Sequence, residues 1–145
     1  MRRRKSGFSL VELVVVIMIL GILAAVAAPR LLQTSSTATD NGLRQSLGVV
    51  RDAVELYAAA NGGDFPRTDT AANFKADLAP YLRKFPSVPV GPAAADAAQA
   101  VDIKFGTGTA GEAAPTQGWY FNTTSGHFFV NFTGTSGDGT AYDQF

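Results

Sequence analysis

The 145-residue chain is short enough for one small domain plus attachments, and it has no cysteine, which excludes disulfide staples and thiol chemistry. Its 12 basic and 12 acidic residues cancel, but four of the basic ones stand together in Arg2-Arg3-Arg4-Lys5, leaving 8 against 12 and a net of −4 elsewhere. An acidic body lacks the clustered Lys and Arg that non-specific nucleic-acid binding needs, so no nucleic acid is expected as a partner.

The basic cluster leads into Gly7-Phe8-Ser9-Leu10-Val11-Glu12 and then an apolar run to Ala28. Residues 8–28 number 21, and only Ser9 and Glu12 are strongly polar. As a helix the run spans roughly 31 Å, close to the ~30 Å hydrocarbon core of a bilayer. The basic cluster predicts that residues 1–7 stay in the cytoplasm and that everything after Arg30 lies across the membrane. A cleaved secretory signal peptide is the alternative, since Ala25-Val26-Ala27 has the small-x-small form of a cleavage site. The run is long for a signal peptide, and an acid near its start is unfavourable there.

Glu12 needs a partner, because a carboxylate in a membrane costs about 3 kcal/mol on insertion scales. A cut after Gly7 would leave a free amine on Phe8. Phe8 and Glu12 are four apart, so amine and carboxylate share one helical face. The carboxylate could then neutralise its own amine or that of a neighbouring chain. A tolerated interfacial acid is the plainer reading of Glu12 taken alone.

Together, the basic leader, the small residue Gly7, Phe8 after it and the acid at Glu12 resemble the class III leader of type IV pilins and pseudopilins. The resemblance implies cleavage between Gly7 and Phe8 by a prepilin peptidase, N-methylation of Phe8 and assembly into a helical filament. Glu12 would pair with the Phe8 amine of an adjacent subunit. Gly21 and Pro29 fall where the family tends to weaken its helix. Pro29 lacks an N–H and clashes with the preceding turn, so it should kink or locally open the helix, and Gly21 is a poor helix former. The implied partners are copies of the chain, other pseudopilins, the inner-membrane assembly platform and the peptidase.

Beyond Pro29, Leu43, Leu47, Val50, Val54 and Tyr57 follow helical spacing and predict a stripe packed on a small sheet. Asp40/Arg44 and Arg51/Glu55 read as i,i+4 ion pairs on the exposed side. Asn61-Gly62-Gly63 is a stop. Thr70 can cap a short helix carrying Phe74 and Leu78, and Leu82 extends the spacing beyond Pro80. Pro86, Pro89 and Pro92 predict an extended loop over 85–92. Residues 93–100 read as a short helix or a mobile segment. Val101-Asp102-Ile103-Lys104-Phe105 alternates as a strand. Gly118-Trp119-Tyr120-Phe121-Asn122 and His127-Phe128-Phe129-Val130-Asn131-Phe132 flank a turn and read as a hairpin. Trp119 and Phe121 should share one face, and Phe128, Val130 and Phe132 the facing side.

The predicted fold class is α+β: a long N-terminal helix, half membrane-embedded and half amphipathic, packed on a small C-terminal antiparallel sheet, pilin-like. The expected parts are a cleaved leader 1–7, a transmembrane and filament-core helix 8–28, its amphipathic continuation 29–61, and a small globular head 62–145.

Asp138 and Asp143 lie among Gly and Thr in the last segment. Oxygen-rich loops can bind Ca²⁺, and the resemblance implies a calcium site in such a loop; a solvated tail is the alternative. The single histidine, His127, excludes a multi-histidine metal site within one chain and reads as a polar hairpin residue. Asn122-Thr-Thr and Asn131-Phe-Thr match the glycosylation pattern. Trp119 and the Phe cluster read as core rather than a ligand groove. No P-loop, dinucleotide fingerprint or nucleophile motif occurs. The expected function is therefore structural and not enzymatic: a pilus-like filament subunit, most like a pseudopilin of a type II secretion-like export system. The alternatives are a minor pilin acting in adhesion or DNA uptake, and a membrane-anchored or secreted enzyme.

Overall fold

The computed structural model describes residues 9–145. The first element, α1, spans Leu10–Ala60. The chain forms two compact units, one ending at Ser35 and the other Ser36–Phe145.

In the first unit the successive residues Val15, Val16, Ile17 and Met18 are all exposed, so the helix is apolar on every side. A helix apolar all round belongs inside a large protein or in a membrane. The most apolar window of α1 has a mean hydropathy of 3.0, and α1 is long and apolar enough to cross a membrane. Pro29 sits inside α1 and does not end it. It offers no N–H to the carbonyl of Ala25, which leaves a gap in the helix ladder. The Thr34 hydroxyl donates to the Arg30 carbonyl at 2.9 Å, so the polar Thr34-Ser35-Ser36-Thr37 stretch continues the helix.

In the second unit the predicted stripe is buried. Leu43, Leu47, Val50 and Val54 are all buried, and Tyr57 packs against them half-buried. Helix α1 stops where Gly62 and Gly63 take φ of 71° and 100°, and the Gly63 N–H caps the Ala58 carbonyl at 2.8 Å. Helix α2, Ala71–Leu78, begins at Thr70, whose side chain accepts the Asn73 N–H at 3.2 Å. Phe74 and Leu78 are buried, and Leu82 follows through a turn in which the N–H groups of Tyr81 and Leu82 both donate to the Leu78 carbonyl. The proline stretch leads to a 3-10 turn, Pro92–Ala95, and to α3, Ala97–Ala100. Asp96 caps α3 by accepting the N–H groups of Ala98 and Gln99, and Ala93 and Ala100 are buried.

The sheet is three-stranded: β1 Ile103–Gly106, β2 Trp119–Asn122 and β3 Phe128–Val130, in that order. The predicted hairpin is β2/β3, antiparallel, with Trp119 opposite Val130 and Phe121 opposite Phe128. Its turn is held by Asn122, whose Oδ1 accepts the N–H groups of Thr124 and Ser125. Strand β1 pairs with β2 in parallel, so the sheet is mixed and the antiparallel expectation holds for the hairpin alone. A parallel neighbour requires a crossover of about a dozen residues, which the Gly/Ala/Thr segment 107–118 supplies.

Trp119, Phe121, Phe128 and Val130 form the core with the α1 stripe, and Phe74 packs between them, 4.9 Å from the Phe121 ring centre. The opposite face is buried as well. Tyr120 and Phe129 stack at 4.8 Å, and the Tyr120 hydroxyl accepts the Gly108 N–H at 2.9 Å from the crossover. The crossover lies so close that a Cβ on Gly111 would stand 2.5 Å from the Phe132 nitrogen.

Candidate functional site

The first candidate residues surround the start of α1. Gly7 and Phe8 lie outside the described residues. Glu12 is in the first turn of α1, and its Oε2 accepts the Ser9 N–H at 3.0 Å. The Ser9 carbonyl accepts the Leu13 N–H at 3.2 Å, the first helical bond. This is the acidic half of a capping box, in which the third residue of a helix reaches back to the N-cap amide. Glu12 is thus turned toward the helix start, one peptide unit from position 8, and its negative charge lies at the positive end of the helix dipole. The sequence carries this cap openly, as Ser9-Leu10-Val11-Glu12. Gly21 is exposed, with no atom within 4 Å of the place a Cβ would take, so packing within this chain does not require glycine there.

The second unit holds a polar cluster that local spacing mispredicts. Asp40 is buried, at 3% exposure, and does not form the expected surface pair with Arg44. It accepts the Gly137 N–H at 3.0 Å and the Tyr142 hydroxyl at 2.9 Å. Arg44 pairs with Asp138 at 2.7 Å, and its guanidinium lies 4.0 Å from the centre of the Phe145 ring. Arg51 likewise passes over Glu55. Its Nε donates to the Phe128 carbonyl at 2.8 Å and its Nη2 to the Phe145 oxygen. Burial pushes the Arg51 pKa down from its ordinary value. The last segment packs on this side of α1, and distant partners displace the near ones. Tyr142 is pushed up to about 12, first by burial and then by its hydrogen bond to Asp40.

Asp138 and Asp143, the residues expected to bind calcium, have separate partners. Asp138 Oδ1 accepts the Ser136 hydroxyl and the Thr140 N–H, and Oδ2 takes Arg44. These hydrogen bonds, with Ser136 first, hold its carboxyl well below the usual carboxylate range. Asp143 is buried and accepts the Gly111 N–H at 2.9 Å. Calcium takes six to eight oxygens. Among the described residues no group of three or more His, Asp or Glu side chains is gathered to hold a metal. The donor set as arranged does not fit a calcium ion, because a guanidinium stands against the exposed carboxylate.

His127 lies 3.4 Å from Arg51 and packs its ring on Phe129, and burial followed by the Arg51 charge lowers its pKa. The protonated form is thereby disfavoured. Both glycosylation patterns fail on burial. Asn122 is 4% exposed and donates to the Gly108 carbonyl, while Asn131 is fully buried and donates to the Gln117 carbonyl. Trp119 is fully buried with its Nε1 donating to the Pro86 carbonyl, so it is core. An open groove of about 770 Å³ has Lys84 as its one charged lining residue, and the rest of the lining is Ala, Ser, Pro, Val and Phe85.

Comparison with known proteins bears on the start of the chain. Residues 2–28 match the family model of the prokaryotic N-terminal methylation motif. The chain is 35% identical over 68 residues to the type II secretion system core protein G of Aeromonas hydrophila, covering 47% of each chain. It is 35% identical over 60 residues to core protein G of Pseudomonas aeruginosa, covering 41% of this chain and 42% of that protein. It is 34% identical over 67 residues to core protein G of Vibrio cholerae serotype O1, covering 46% and 45%. The chain spans about half the length of the curated relatives it matches. No solved structure matches it. The chain carries a prokaryotic N-terminal methylation motif and is similar, over just under half its length, to core protein G of type II secretion systems.

Proposed function

We propose that the chain is a structural subunit of a type IV pilus-like filament, a pseudopilin of a type II secretion-like system that drives protein export, and not an enzyme. The observation that carries this reading is the methylation motif over residues 2–28, which takes in the stretch of α1 around residues 15–18 that is apolar and exposed on every side. Such a surface is stable in lipid or against copies of itself, and each Å² withdrawn from water contributes about 25 cal/mol.

In the precursor the apolar part of α1 spans the inner membrane, with its N-terminus in the cytoplasm and the second unit on the far side. A prepilin peptidase cuts between Gly7 and Phe8, and the new Phe8 amine is methylated. The helix then leaves the lipid and packs among the helices of other subunits. Glu12 fixes the register. Its Oε2 serves the Ser9 N–H within its own chain, and its Oε1 takes the amine of a neighbour. Gly21 and Pro29 let the helix bend or stretch as the subunit moves from membrane to filament. Growth of the filament on the inner-membrane platform, with other pseudopilins at its tip, pushes cargo outward.

Intact mass and N-terminal sequencing of the mature protein test the processing step. A methylated Phe8 is expected, and a mature start at Ala28 would sink the filament reading. Two variants test the register step. Glu12→Gln keeps a carbonyl oxygen for the Ser9 N–H and loses the charge; Glu12→Val loses both. Both are expected to insert in the membrane, and both are expected not to assemble. Normal filaments from the Gln variant would refute the charge pairing.

A further inference from the structure

Asp40, Arg44 and Arg51 are spaced by 4 and 7 residues, so they stand on one side of α1 at 3.6 residues per turn. Each holds a different part of the last segment: Asp40 the Gly137 N–H and the Tyr142 hydroxyl, Arg44 the Asp138 carboxylate and the Phe145 ring, Arg51 the Phe145 oxygen. The segment is folded on itself as well. Thr135 bridges to Ala141, the Ser136 N–H donates to the Thr140 carbonyl at 2.8 Å, and the Tyr142 N–H donates to the Gly134 carbonyl at 2.9 Å.

We propose that residues 134–145 form a clamp closed on α1 by Asp40, Arg44 and Arg51, with the Arg44 guanidinium taking the part that a calcium ion would take in a pilin-like terminal loop. Asp138 has both oxygens committed, and its charge is already matched at 2.7 Å. A divalent ion on the same carboxylate would meet the guanidinium charge at close range. Asp143 is turned to the crossover and contributes to a different contact. Asp40 is buried with two donors on it, so protein groups offset the desolvation of its carboxylate. Closure of this segment is therefore independent of the calcium concentration outside the cell.

Hydrogen exchange read by mass spectrometry on the full chain in detergent micelles tests this. Samples carry either millimolar calcium chloride or a calcium chelator. The wild-type 134–145 peptide is expected to show equal protection in both. Arg44→Ala and the milder Asp138→Asn should each lower its protection severalfold in both solutions, while peptides from α2 and the sheet stay protected. Asp40→Asn should do the same more strongly. A severalfold loss of protection in the wild type on chelation would overturn the proposal. So would wild-type protection in the Arg44→Ala chain.

Discussion

Tyr142 reports on the clamp through its own ionisation. Its hydroxyl donates to Asp40, and burial with that hydrogen bond raises its pKa from 10.0 to about 12. A tyrosinate there would face the Asp40 carboxylate, with Asp138 adding repulsion and Arg44 opposing it with a positive charge. The folded pKa lies above the unfolded one, so the contribution is fully present below pH 10 and is lost as pH rises toward 12. Tyr142→Phe is expected to lower stability at neutral pH by about 1.5 to 3 kcal/mol, the range for a hydrogen bond to a charged group. It should also flatten the fall in stability between pH 10 and 12. Urea unfolding followed by circular dichroism across that range checks both. An unchanged alkaline limb in the variant would show that another group is responsible. The Asp40 contact itself was not legible in the sequence. The i,i+4 rule sees only neighbours on one helix, and it paired Asp40 with Arg44 and Arg51 with Glu55. The partners actually made are 97 and 102 positions from Asp40, 94 from Arg44, and 77 and 94 from Arg51. Nothing in the local spacing encodes them.

Elements were legible in proportion to how local their causes are. The α1 stripe, the Gly62-Gly63 stop and the Thr70 cap of α2 each follow from residues within a few positions of one another. The hairpin did too, because its turn and both flanking runs are contiguous. The direction of β1 did not, because alternation along a strand is the same whether its neighbour runs parallel or antiparallel. What decided it was the segment 107–118, whose Gly/Ala/Thr composition reads as loop while its role is to cross over the sheet and bury Tyr120 and Phe129. Two substitutions compare these kinds of cause. Thr70→Ala removes a side-chain acceptor at the start of α2 and should lower stability by about 1 kcal/mol. Gly111→Ala forces a Cβ to within 2.5 Å of backbone nitrogen, which no rotamer change relieves, and should cost more, about 1 to 3 kcal/mol. Equilibrium urea melts of the two variants should rank them in that order with unchanged slopes. A Gly111→Ala chain as stable as wild type would mean that the crossover yields easily.

At the scale of the molecule, the two units answer to different solvents. The first has its apolar residues outside, as a helix in lipid or among other helices requires. The second has a core of its own, drawn from Leu43, Leu47, Val50, Phe74, Trp119, Phe121 and Phe128, and among the described residues no member comes from before Ser36. A fragment starting at Ser36 is expected to fold alone, to stay soluble and monomeric, and to melt in one cooperative step. Leu47, 1% exposed, is the test of that core: Leu47→Ala should cost about 2 to 5 kcal/mol in the fragment and leave membrane insertion of the full chain intact. Sedimentation and thermal melts of the fragment, with fractionation of cells expressing the full-length variant, check the pair. A fragment that aggregates or melts without cooperativity would show that the second unit depends on residues before Ser36. Loss of membrane insertion in the full-length Leu47→Ala chain would show that the units do not fold separately.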